Sequence, residues 1–233
     1  MNPKLLIPVT KQNLLKKFSQ ASLYVILSSG ITKKPLLEIL VDIVQGGADI
    51  VQLREKTMSD SEFLTLAREF RKITSQSKTL FIVNDRAEIA KKVDADGLHI
   101  GQSDIEISVA YKILGNHKII GVSTHTIIQA RKAMREGADY ISAGPVFYTH
   151  TKDYEPPVGL KYVREVKKEI AIPFVALGAI NLNNLNDVLN AGASCVAICS
   201  AILCSDDVTQ TTRLFKTMIN NYTRGNTPGR KRG

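Results

Sequence analysis

No apolar run in this 233-residue chain approaches the roughly 20 residues that a membrane-spanning helix needs, so a membrane protein is not expected. The short apolar patch Leu5-Leu-Ile-Pro-Val9 lacks the charged n-region and cleavage site of a signal peptide, so the chain reads as cytoplasmic. Cysteine is scarce. Cys195, Cys199 and Cys204 are an odd number crowded into one apolar segment, with no His or further Cys to complete a ligand set. That excludes a disulfide framework or a zinc site and leaves small buried thiols. Acid is missing from both ends. Residues 1–20 carry Lys4, Lys11, Lys16 and Lys17, and residues 224–233 carry Arg224, Arg230, Lys231 and Arg232, with no Asp or Glu in either stretch. Of the formal net charge of +9, eight charges therefore sit in the ends, and 21–223 is close to neutral at +1. A nucleic-acid binder carries its basic patch on a folded face, so nucleic acid is not an expected partner. The end from 223 to 233 reads instead as a disordered basic tail, and 1–20 as a basic N-terminal segment.

What the chain has in abundance is short runs rich in Val and Ile. Eight of them, Leu23–Leu27, Ile50–Leu53, Leu80–Val83, Gly97–Ile100, Ile119–Val122, Tyr140–Ala143, Phe174–Leu177 and Cys195–Ile198, recur about every 25 residues. They are continuous rather than alternating, the pattern of parallel strands covered on both faces. Between them lies helical periodicity: Leu36, Ile39, Leu40, Ile43 and Val44 form one stripe, and Phe63, Leu64, Ala67 and Phe70 another. Gly47-Ala-Asp49, Gly137-Ala-Asp139 and Gly192-Ala-Ser194 each close a helical stretch and open a strand, Gly supplying the left-handed stop. Eight such units predict an α/β fold, a single (β/α)8 TIM barrel over 21–222 preceded by an extra N-terminal helical segment. The competing architecture is a doubly wound open sheet. No composition shift divides the chain, and no G-x-G-x-x-G follows any strand.

A barrel of this type builds its active site from the C-terminal strand ends and the loops after them. Chemistry-capable residues concentrate there. In the extended run after Ile50, side chains at every second position share a face, so Gln52, Arg54 and Lys56 point together. An amide beside two cations suits a polar ring carrying a phosphate-type charge. Asn84-Asp85 follow the third run and Asp104 the fourth. Each could instead cap the next helix, but two carboxylates beside several cations fit a hard divalent ion such as Mg²⁺, which completes its shell with water and substrate phosphate. Ser123 follows the fifth run. A polar loop with Thr149, Thr151 and Lys152 follows the sixth, and Gly178-Ala179 and Cys199-Ser200 the last two. The late set resembles a phosphate cup made of backbone N–H groups and a helix start. The residues thus imply two anion sites, one for a monophosphate and one for a pyrophosphate with metal. His99 reads as a packed or stacking histidine.

Gln52-Leu-Arg-Glu-Lys56, Val83-Asn-Asp-Arg86, Asp96-Gly-Leu-His-Ile-Gly-Gln-Ser-Asp104, Gly121-Val-Ser123 and Gly144-Pro-Val-Phe with Thr149-x-Thr151-Lys152 together resemble the thiamine-phosphate synthase family over about residues 22–221. The resemblance implies condensation of hydroxymethylpyrimidine pyrophosphate with thiazole phosphate, giving thiamine phosphate and pyrophosphate. By it, Gln52 would hold the pyrimidine with Tyr24 packed nearby, and Ser123 would contact the same substrate. Arg54, Lys56, Asn84 and Lys152 would bind its pyrophosphate, and Asp85 and Asp104 the Mg²⁺ cofactor. Thr149, Thr151 and the backbone amides of Ala179, Cys199 and Ser200 would take the thiazole phosphate. Two departures stand out: the family usually has Gly-Gly where this chain has Gly178-Ala179, and Ile or Val where it has Cys199. Thiazole tautomerases resemble the synthases but lack much of the pyrophosphate set; they are the alternative. Partners are then small phosphorylated substrates, and a homo-oligomer is left open.

Overall fold

The computed structural model describes residues 10–149 and 156–225. Eight strands, β1 (Leu23–Leu27), β2 (Ile50–Leu53), β3 (Leu80–Asn84), β4 (Gly97–Ile100), β5 (Ile119–Thr124), β6 (Tyr140–Ala143), β7 (Phe174–Leu177) and β8 (Val196–Ile198), pair in sequence order. All pairings are parallel, and β8 pairs with β1 to close the barrel. The predicted (β/α)8 barrel is what forms. Five strands coincide with their apolar runs. β3 and β5 continue through Asn84 and Thr124, and β8 starts one residue late.

Among the described residues, ten α-helices accompany the strands. They are α1 (Lys11–Ser19), α2 (Leu36–Gly46), α3 (Asp60–Ser75), α4 (Ala87–Lys92), α5 (Ile107–Leu114), α6 (Ile127–Arg135), α7 (Gly159–Glu169), α8 (Leu185–Asn190), α9 (Ser200–Leu203) and α10 (Val208–Gly225). Among the described residues, no helix is long and apolar enough to cross a membrane. Strand side chains alternate between two cores. Val25, Val51, Phe81 and Ile120 pack outward against the helix ring. Tyr24, Ile50, Ile82, Ile119, Tyr140 and Val175 fill the barrel interior. The Tyr140 ring spans that interior because its register partner is Gly121. A Cβ added at Gly121 would lie 2.0 Å from the ring.

The floor of the barrel, at the N-terminal strand ends, repeats one corner. After α2, α4, α6 and α8 a residue in the left-handed region stops the helix: Gly47 (φ 91), Asp94 (φ 53), Gly137 (φ 92) and Gly192 (φ 106). The alanine that follows each one donates its N–H back to the carbonyl five residues earlier, the Schellman closure. At three corners the next residue is Asp, and it grips the preceding strand twice. Asp49 N–H donates to Leu23 O at 3.0 Å while its Oδ2 accepts from Leu23 N at 2.9 Å. Asp96 makes the same pair with Phe81, and Asp139 with Ile120. Lys216 pairs with Asp49, and Lys11 with Asp139 at 2.8 Å. Helix α1 seals this end. Thr10 caps it, and Leu14 and Phe18 enter the inner core, with the Phe18 ring centroid 4.2 Å from that of Tyr140.

All three cysteines are free, but only Cys195 is buried. Cys199 lies just beyond the short β8 and is half-buried, and Cys204 ends α9 at the exposed surface. The expectation of three buried thiols is corrected accordingly.

Candidate active site

The opposite end opens into a pocket of about 460 Å³. The run after β2 behaves as its alternation predicts. Gln52, Arg54 and Lys56 all line the pocket above Ile50. Glu55 points the other way, buried, and accepts from the backbone N–H and the hydroxyl of Ser29, which anchors the β1–α2 loop behind the cations. The Arg54 guanidinium is half-buried with no hydrogen-bond or ion-pair partner among the described residues. An unneutralised fork of donors in a partly desolvated wall has the chemistry that suits an anion. Lys56 pairs with Asp85.

β3 delivers Asn84 as a buried last strand residue and Asp85 immediately after it at φ 61. Neither caps α4, whose N-cap position is Arg86 with no side-chain capping bond. Arg86 instead leaves the pocket to ion-pair with Asp60 at 2.6 Å. Asp104 is likewise not a helix cap, since α5 begins at Ile107; its Oδ2 accepts from Gly101 N–H at 2.7 Å. The Asp85 and Asp104 carboxyl groups hydrogen-bond to each other. Burial first, then that contact, raises the Asp85 carboxyl above its ordinary value. At Asp104 burial also opposes ionisation, but the bonds from Asp85 and Gly101 and the charge of Lys56 outweigh it and hold the group low. The pair thus sets two hard oxygen donors side by side, a donor set that could hold a divalent cation.

The far wall carries Ser123, Thr149, Ala179, Cys199 and Ser200. Gly178 sits at φ 115, and a Cβ there would meet Pro145 Cα at 2.5 Å. Ala179 is left-handed too (φ 46), a conformation that costs an alanine roughly 1 kcal/mol. Asn184 holds it there: its Nδ2 donates to Ala179 O at 3.0 Å while its Oδ1 accepts from Asn181 N at 2.8 Å. Burial pushes the Cys199 thiol up to about 12 against the pull of Arg54, so at neutral pH it is a neutral wall group. Thr151 and Lys152 lie outside the described residues.

Every described member of the expected set therefore lines one pocket. His99, Gln102 and His125 join them. Gln102 Nε2 donates to Ser123 O at 2.5 Å, and His125 Nδ1 lies 2.5 Å from Gly144 O. His99 is the register partner of Asn84 and shares its inward direction, the signal that places its ring in the pocket wall rather than in the core.

The model of the thiamine monophosphate synthase family matches residues 23–202, from the start of β1 to within α9. The chain belongs to the thiamine monophosphate synthase family. The thiamine-phosphate synthase of Chloroflexus aurantiacus is 40% identical over 199 residues, covering 84% of this chain and 92% of that one. That of Methanosarcina mazei is 42% identical over 210 residues, covering 90% and 86%. Among solved structures, the thiamine phosphate pyrophosphorylase from Pyrococcus furiosus superposes with a TM-score of 0.81 at 34% identity, covering 90% of this chain and 99% of that one. A 3-hexulose-6-phosphate synthase superposes at 0.65 with 19% identity, a likeness of fold alone. Arg54, Lys56, Asn84, Asp85 and Asp104 stand together in the wall of one pocket of this family member.

Proposed function

We propose that the chain is a thiamine-phosphate synthase, joining hydroxymethylpyrimidine pyrophosphate to thiazole phosphate. The observation that carries this reading is Arg54, without a partner among the described residues, beside Lys56 and the Asp85–Asp104 pair, in a family member that resembles synthases over most of its length. The reaction breaks the bond between the pyrimidine methylene carbon and the pyrophosphate oxygen, which keeps the electron pair. The thiazole nitrogen donates its lone pair to that carbon, so no general base is needed. What lowers the barrier is stabilisation of charge on the leaving group.

Arg54, Lys56, Asn84 and Lys152 would hold the departing pyrophosphate, and Gln52 and Ser123 the pyrimidine. Asp85 and Asp104 supply the hard oxygens that suit Mg²⁺, which when bound would neutralise pyrophosphate charge. Thr149, Thr151 and the 179 and 199–200 backbone would seat the thiazole phosphate at the far wall. The partly buried walls keep water away from a cationic methylene. The cytoplasm suits such small phosphorylated substrates. The test is a coupling assay with both substrates, with and without Mg²⁺, reading thiamine phosphate. The expected result is metal-dependent product; equal product under chelation would remove the metal role of Asp85 and Asp104. The tautomerase reading predicts no product in either arm.

A further inference from the structure

Across the base of the pocket five side chains form one hydrogen-bonded chain, four of them in its wall and Tyr140 beneath. Gln52 Nε2 donates to Tyr24 Oη at 2.6 Å; Tyr24 Oη and Tyr140 Oη are 3.3 Å apart. Tyr140 Oη lies 3.0 Å from His99 Nδ1, and His99 Nε2 lies 3.0 Å from Ser123 Oγ. Gln52, Tyr24, Tyr140 and His99 are all buried. Burial drives both phenols' pKa values upward, so each keeps its one proton.

Counting those protons gives the chain a direction. Tyr24 already accepts from Gln52, so its own proton has Tyr140 Oη as its hydrogen-bond acceptor. Tyr140 must then pass its proton to His99 Nδ1. A neutral imidazole with Nδ1 as acceptor carries its hydrogen on Nε2 and donates it to Ser123 Oγ, and more weakly toward Ser142 Oγ at 3.5 Å. The Ser123 hydroxyl is thereby turned outward as a donor. Gln52, with Nε2 committed to Tyr24, faces the pocket with Oε1 as acceptor. Reversing the Gln52 amide would reverse every link and swap the two ends, so the polarity of the pair is a joint property of the chain.

We propose that Tyr24, Tyr140 and His99 are positioning residues that set the ring specificity of the pyrimidine site, by fixing an acceptor at Gln52 and a donor at Ser123. The matching ring edge has an amino group beside an unprotonated ring nitrogen. An oxo edge, with a carbonyl beside a protonated nitrogen, opposes acceptor to acceptor and donor to donor. A site with committed polar groups rejects such a mismatch far more strongly than an apolar pocket rejects a change of size. Discrimination is thus controlled partly from Tyr140, which is not among the residues lining the pocket. This rests on the reaction proposed above.

The experiment compares hydroxymethylpyrimidine pyrophosphate bearing the amino group with its oxo analogue in wild type and Tyr140→Phe. This variant keeps the ring that packs on Phe18 and removes only the hydroxyl. The wild type should favour the amino ring by at least about 10³-fold in kcat/KM. In Tyr140→Phe that ratio should fall at least tenfold, with the KM for thiazole phosphate unchanged. Nitrogen-15 NMR of labelled histidine should show His99 protonated on Nε2 in the wild type. An unchanged ratio in Tyr140→Phe, or a wild-type His99 protonated on Nδ1, would overturn the relay. Should the wild type couple neither ring, the assigned reaction fails while the His99 tautomer still decides the relay.

Discussion

The two ends of this barrel are built by opposite rules. The floor is repetitive: four left-handed helix stops, four Schellman closures and three Asp residues that each bind both backbone groups of one residue on the preceding strand. Its charges are satisfied locally, as Asp49 with Lys216 and Asp139 with Lys11. The mouth repeats nothing. It holds a guanidinium with no partner among the described residues, two neighbouring carboxyl groups whose acidities are pushed apart, and two non-glycine residues in the left-handed region. A third, Asp94, is a helix stop in the floor. The contrast teaches where stability and chemistry are kept apart. Groups at the floor are bonded to one another; at the mouth Arg54 has no partner among the described residues, and Asp85 and Asp104 are crowded together beside Lys56.

Mutations at the two ends should therefore separate activity from stability. The largest effect is expected for Arg54→Ala, a loss of roughly 10²–10³-fold in turnover. Because Arg54 has no partner among the described residues, the unfolding midpoint should stay where it is; a large fall in melting temperature would erase the distinction drawn between the ends. Next is Asp49→Ala at the floor. It strands the N–H groups of Ser22 and Leu23 and the ammonium of Lys216. A loss of about 2–4 kcal/mol in denaturant unfolding is expected, with kcat of the folded fraction unchanged. The smallest is Ala179→Gly, which relieves a left-handed alanine and should gain up to about 1 kcal/mol. Its KM for thiazole phosphate sharpens the comparison. A change there, without one for the pyrimidine substrate, identifies the strained turn as part of the thiazole-phosphate wall.

The floor and the strands were legible in the sequence because they rest on local rules. Continuous Val/Ile runs mark strands buried on both faces, and Gly-Ala-Asp marks a stop and turn. Even there the fourth corner was missed, because Asp94 takes the place glycine holds elsewhere, and the grip of Asp49, Asp96 and Asp139 on neighbouring strands is a tertiary contact. At the mouth, the alternation of Gln52, Arg54 and Lys56 could be read directly, and Asp85 and Asp104 emerged as a pair once their strand ends were aligned. The role of His99 could not be read. A lone histidine in an apolar strand gives no hint that Tyr140, 41 residues away, reaches it across the barrel. That contact depends on Gly121 having no side chain, a fact visible only when β5 and β6 are in register.

The Phe18–Tyr140 stack has a consequence for anyone handling this protein. It makes α1 the lowest member of an axial pile: Phe18 supports the Tyr140 ring, and the Tyr140 hydroxyl joins the chain that ends at Ser123. Shortening the chain from its start is therefore not equivalent to removing a basic leader. Cutting away α1 withdraws Phe18, the support beneath the pocket, on the far side of the barrel from where the cut is made.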